Sequence, residues 1–121
     1  SSKNIPVFRY ADILRMKAEA ILRGGTPTLN QTAAGLVNMI RSRAGTSQLS
    51  TVSLEELREE RAREFAWEGW RRNDMIRFGE FGKTWELKYE ESPAYRTLYP
   101  IPYEQLRMNT DLIQNPGYPS L

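Results

Sequence analysis

The chain has no cysteine and no histidine in 121 residues. Without Cys there is no thiol nucleophile, no disulfide framework and no thiolate ligand for a metal. Without His the commonest general base and metal ligand are missing too. No cofactor and no metal site is expected. Long apolar runs are also lacking: nothing approaches the roughly 18 residues that a membrane-crossing helix needs. No signal peptide stands at Ser1, and the chain opens on Ser, not Met. A mature form, or a piece of a longer protein, is expected. A Gly-rich phosphate loop, a nucleophile elbow and a dinucleotide fingerprint are all absent. Neither sign of charge dominates, since 17 Lys and Arg against 15 Asp and Glu leave a net +2. Those charges are interleaved, which is no electrostatic footprint for nucleic acid.

What remains is 40% hydrophobic content, enough for one compact domain over residues 1–121. A helical core over 8–82 and an irregular wrap over 83–121 are expected. Ser1 to Arg9 reads as extended, because Pro6 biases Ile5 away from helix. A helix then runs from Tyr10 to Leu22, with Tyr10, Leu14, Ala18 and Ile21 on one face. Asp12 suits its positive end and Arg23 its negative end, and Gly24-Gly25 stops it. A second helix runs from Gln31 to Ala44, capped by Asn30, with Ala33, Val37 and Ile40 inward. Arg41 and Arg43 complement its dipole, and Gly45 ends it. Gly35, inside it, suggests close approach of another helix. Two helices joined by a short turn make an antiparallel hairpin, the unit of tetratricopeptide-like repeats.

Thr46 to Val52 is a polar linker. From Ser53 to Gly82 a long third helix is expected, opened by a capping box between Ser53 and Glu56. It should bend or break at Gly69. Leu54, Leu57, Phe65, Met75 and Ile76 fall on one side of it, and so do Arg61, Glu64 and Glu68. Charges on an apolar face are nearly always paired when buried. In one reading Arg61 bridges Glu64 and Glu68 as a structural network. In the other, Glu64 and Glu68 are a carboxylate pair for glycoside hydrolysis. Spacing does not separate the two, because residues four apart are neighbours on any helix. Arg71 and Arg72 hold nearby carboxylates ionised, which suits a scaffold better than a general acid. Glu59 and Arg63 are placed for an outward ion pair, and Asp74 and Arg77 are the polar members beyond Gly69. Trp67 and Trp70 point away from the Leu57 and Phe65 face, so this half should lie between other elements.

Beyond Lys83 the periodicity fades. Pro93, Pro100, Pro102, Pro116 and Pro119 interrupt it, yet Trp85, Tyr89, Tyr95, Tyr99, Tyr103 and Tyr118 argue against a disordered tail. An ordered wrap is expected, with a helical turn over Tyr103 to Arg107 and a type II turn at Asn115-Pro116-Gly117-Tyr118. Aromatic faces stack on sugars, bases and cations alike, but the favoured reading is that they pack the wrap onto the helices.

Several segments together resemble one family. Arg9-Tyr10-Ala11-Asp12-Ile13-Leu14 with Lys17-Ala18-Glu19-Ala20 resembles the RYADILLMKAEA helix of the SusD/RagB family. Asn38-Met39-Ile40-Arg41-Ser42-Arg43-Ala44-Gly45 resembles its N-x-V-R-x-R-A-G segment. Glu60-Arg61, Glu64-Phe65-Ala66-Trp67-Glu68-Gly69, Arg71 and Asp74-Met75-Ile76-Arg77-Phe78-Gly79 resemble its E-R-x-x-E-L-A-F-E-G-x-R-x-x-D-L-x-R-x-G signature. Tyr99-Pro100-Ile101-Pro102 and Asn115-Pro116-Gly117-Tyr118 are similar to its closing pieces. The matches run in order over nearly the whole chain. Departures are local: Ala62 stands where a second Arg is common, and Arg72-Asn73 where two aromatics are.

The resemblance implies an all-α, tetratricopeptide-like part of a longer, non-enzymatic nutrient-binding lipoprotein of the bacterial outer membrane. It implies an oligosaccharide or peptide ligand and a SusC-like TonB-dependent transporter as partner. The lipid anchor would lie upstream of this chain. The shared signature then reads as a structural ion network of Arg61, Glu64, Glu68, Arg71 and Asp74. Trp85, Tyr89 and Tyr95 are the local candidates for ligand stacking. The alternatives are a hydrolase using Glu64 and Glu68, and a helical-repeat adaptor that binds peptides.

Overall fold

A computed structural model describes residues 7–120. Most of the extended segment expected from Ser1 to Arg9, including Ile5 and Pro6, lies outside that range. Five α-helices and one 3-10 helix appear, and no strand among the described residues beyond an isolated bridge between Trp85 and Lys88. None of these helices is long and apolar enough to cross a membrane. The fold is all-α. Contacts divide the chain into two compact units after Arg71, earlier than the change in composition at Lys83.

In the first unit, α1 (Tyr10–Leu22) and α2 (Ala33–Arg43) form a hairpin, and α3 (Leu54–Glu64) packs on α1. The start of α1 lies beside the end of α2, so the pair is antiparallel. Ala11, Leu14 and Ala18 meet Leu36, Val37 and Ile40, with Leu57 and Phe65 closing the core. The small residues of α1 let its neighbours approach. Tyr10, placed inward by periodicity, is 70% exposed. It begins the helix, where no earlier turn covers it.

The helix ends follow local chemistry. α1 closes with a Schellman motif: Gly25 N–H donates to Ala20 O at 2.8 Å and Gly24 N–H to Ile21 O at 3.0 Å. A Cβ on Gly25 would stand 2.7 Å from Ala20 O, so only Gly fits. The same pair of bonds ends α2 at Gly45 and Thr46. α2 starts later than expected. Thr32, not Asn30, is its cap, with Oγ1 accepting from Gly35 N–H at 3.0 Å. Asn30 takes a left-handed φ of 54° in the preceding turn. Gly35 is exposed, and the atom nearest its missing Cβ is Thr32 Oγ1, so the cap, not a second helix, explains it.

The capping box of α3 forms as expected, with Glu56 N–H donating to Ser53 Oγ and Ser53 N–H to Glu56 Oε2. The long third helix does not form. α3 ends at Glu64, and Trp67 at φ 67° and Gly69 at φ 81° turn the backbone before α4 (Arg71–Arg77). Phe65 is drawn into the core and Trp70 packs on Phe8, ring centroids 5.5 Å apart. A straight helix would not deliver both. Trp67, expected between elements, is fully exposed.

In the second unit the 3-10 helix (Ala94–Thr97) and α5 (Tyr103–Met108) interrupt an irregular path. Gln114 pins it by bonding both the N–H and the C=O of Ile101. Arg72 stacks 3.9 Å from the Tyr99 ring centroid and donates to the carbonyls of Arg96 and Thr97. Gly117 has φ 88° and Tyr118 N–H donates to Asn115 O, as a type II turn requires.

Candidate functional site

Two places bear on function: the ion network of the first unit and the exposed aromatics of the second. The network is built where α1 faces α3. Asp12 and Arg15 stand three apart on the inward face of α1, and Glu60, Arg61 and Glu64 answer them from α3. Arg61 donates to Asp12 Oδ1 at 2.7 Å, with both side chains almost wholly buried. Glu64 and Glu68 are joined by Arg9, which lies just before α1. Its guanidinium donates to Glu64 Oε1 at 2.9 Å and to Glu68 Oε1 and Oε2 at 2.8 and 2.9 Å. The bridge expected of Arg61 is thus supplied by Arg9. The turn at Trp67 is what swings Glu68 round to share it.

Other cations converge on the same carboxylates. Glu64 Oε1 also accepts from Arg43, and Glu60 Oε1 accepts from Arg41 and Arg63. Arg15 donates to the Glu60 carbonyl. Three guanidiniums, those of Arg9, Arg15 and Arg61, sit 5.0 to 5.5 Å from the Phe65 ring centroid. The ring offers these cations its π-electrons, while Arg9 and Arg61 also bond carboxylates. Burial pushes the Glu64 carboxyl up, but its hydrogen bond from Arg9 and the charges of Arg15, Arg9 and Arg43 outweigh that and hold it below the usual range. Burial lowers Arg15 to about 10. The Glu68 hydrogen bond raises Arg9. A carboxylate held ionised in this way is poorly suited to donate a proton.

Arg71 is half exposed, its nearest carboxylate Glu59 at 3.9 Å. Asp74, in the second unit, is buried and accepts from Arg77 at 2.9 Å. Arg63 pairs with Glu60, one turn back, not with Glu59. Among the described residues no group of acidic side chains is placed to hold a metal.

Of the three stacking candidates, Trp85 and Tyr89 are exposed, at 54% and 83%. Trp85 closes a tight turn with Lys88, whose ammonium lies 4.6 Å from its ring centroid. Tyr95 is half buried, edge-on to Tyr118 at 4.9 Å and against the backbone of Gly117. Packing already occupies it.

The sequence profile of the SusD family matches residues 1–118. The chain belongs to the SusD family. It is 39% identical over 124 aligned residues to the starch-binding protein SusD of Bacteroides thetaiotaomicron. That alignment covers 95% of this chain and 22% of the relative, so the chain spans about a fifth of the length of this SusD relative.

Arg61 ties α3 to α1 through Asp12, and Glu64 and Glu68 hold Arg9 at the start of α1. Sequence reasoning missed Arg9, Asp12, Arg15, Arg41 and Arg43 as partners of Glu60, Arg61, Glu64 and Glu68. One signal was available. Asp12, Arg15 and Glu19 recur at three- and four-residue steps beside Ala11 and Ala18, which places charge on the buried face of α1. Asp12 had a sufficient local explanation in the helix dipole, which masked it.

Proposed function

We propose that this chain is the helical scaffold part of a non-enzymatic, cell-surface glycan-binding protein. The observation that carries the reading is family membership together with the 39% identity to a starch-binding protein. In this reading the protein captures an oligosaccharide at the outer membrane and passes it to a SusC-like TonB-dependent transporter. The α1/α2 hairpin is one tetratricopeptide-like unit. A lipid anchor elsewhere in the full-length protein holds it to the membrane.

Two features of the site support a scaffold role for the ion network. Each of its carboxylates accepts from at least one guanidinium, and it lies where helices meet. Tyr89 is exposed, and Trp85 is exposed with the Lys88 ammonium over one side of its ring, which suits both to stacking on sugar rings. Tyr95 would contribute mainly by holding the wrap in shape.

Calorimetric titration with soluble starch tests the reading, on this chain and on one lengthened to the span of the Bacteroides relative. Binding by the longer chain, with little or none by the shorter, is the expected result. Starch binding by the short chain, lost in Trp85→Ala, would make the second unit a site in its own right. Failure of both chains across a glycan array would overturn the proposal. Starch hydrolysis that disappears in Glu64→Gln would restore the enzyme reading.

A further inference from the structure

We propose that the cleft between the end of α2 and the inner faces of α1 and α3 is a site for a small oxyanion, bound by Arg15, Arg41 and Arg63. The cleft holds about 220 Å³, and these three residues line it with Thr46, Glu60 and Glu64. That volume admits a group the size of phosphate or carboxylate.

Charge balance is the first argument. Five guanidiniums, those of Arg9, Arg15, Arg41, Arg43 and Arg63, meet three carboxylates here, those of Glu60, Glu64 and Glu68. Of these, Arg15, Arg41 and Arg63 line the cleft against Glu60 and Glu64, which leaves the cleft one positive charge in excess. Glu60 and Glu64 do not oppose an anion strongly, because each already has two guanidiniums bonded to its Oε1.

The second argument is Arg15. It is only 2% exposed, yet its Nε has no hydrogen-bond partner among the described residues. Its NH2 lies 3.7 Å from Glu60 Oε2 and 3.9 Å from Glu64 Oε2, beyond hydrogen-bond distance. A buried guanidinium with unused N–H groups is costly. Burial has already lowered its proton affinity, as expected of a cation short of compensation. An oxyanion would accept from Arg15 and meet Arg41 and Arg63 at the rim, using the planar, multi-donor geometry that suits guanidinium to phosphate and carboxylate.

The oxyanion is either a free inorganic ion or a carboxylate carried by a larger ligand, and the test separates them. Thermal melting and calorimetry of the 121-residue chain in phosphate, sulfate and acetate are compared with KCl at equal ionic strength. A saturable rise in Tm beyond the KCl control is expected. Preference for phosphate or sulfate assigns the site to an inorganic ion, and preference for acetate to a carboxylate group. Arg63→Ala removes a rim cation that is 64% exposed and should leave the fold intact. It should weaken binding about tenfold, the effect of one charge-assisted hydrogen bond. A Tm rise no larger than in KCl, or an unchanged affinity in Arg63→Ala, overturns the proposal.

Discussion

Replacing Arg61 with Met tests whether α1 and α3 are held by buried charge. Arg61 and Asp12 are 2% and 0% exposed and joined by a 2.7 Å hydrogen bond. Met keeps most of the stem that packs near Phe65 but leaves the Asp12 carboxylate buried without this partner. Breaking a buried pair from one side costs about 3–5 kcal/mol, because the other charge remains desolvated. At about 4 °C per kcal/mol for a chain of this size, Tm should fall by about 12–20 °C. Far-UV circular dichroism through a thermal ramp and a urea titration would read it. The double variant Arg61→Met with Asp12→Asn removes the stranded charge and should recover a good part of the loss. A single variant within about 1 kcal/mol of the parent would refute the reasoning, since surface pairs are worth no more than that. So would a double variant as unstable as the sum of the singles.

Other expectations follow from the same geometry. Glu64→Gln should cost about 2–3 kcal/mol, since it weakens charge-assisted bonds from Arg9 and Arg43, measured by urea unfolding. The folded Glu64 carboxyl lies below its ordinary value of 4.5, so its contribution is complete above that pH and is lost as pH falls through the folded value; a Tm series from pH 7 to pH 3 should decline below about 4.5, less steeply in Glu64→Gln. Thr32→Ala removes the α2 cap and should cost about 1 kcal/mol by the same urea assay. Gly117→Ala combines a left-handed φ of 88° with a Cβ 2.4 Å from Tyr95 Cγ, so near-UV circular dichroism should show the Tyr95–Tyr118 packing disturbed, while far-UV signal is kept.

Much of the local structure was legible in the residue order, because its causes are local. The bounds of α1, the capping box of α3, the stops at Gly24 and Gly45 and the type II turn at Pro116-Gly117 each depend on residues within one turn of one another. So does the all-helical class, which follows from apolar spacing. The ordered motifs also carried the family.

Tertiary structure decided what depends on residues far apart. Gly69, at φ 81°, marks a break locally, but periodicity runs straight through Phe65 and Trp67, so the residue order does not end α3 as early as Glu64. Burial of Phe65 and Trp70 and the bonds from Arg9 to both Glu64 and Glu68 do so instead, across a separation of more than fifty residues. Charge partners were equally hidden. A helix places Arg61, Glu64 and Glu68 near one another whatever they bind, and only the packing of α1 on α3 assigns Arg61 to Asp12 and the two glutamates to Arg9. Tyr95 became a packing residue for the same reason, because Tyr118 and Gly117 return to it from more than twenty residues away.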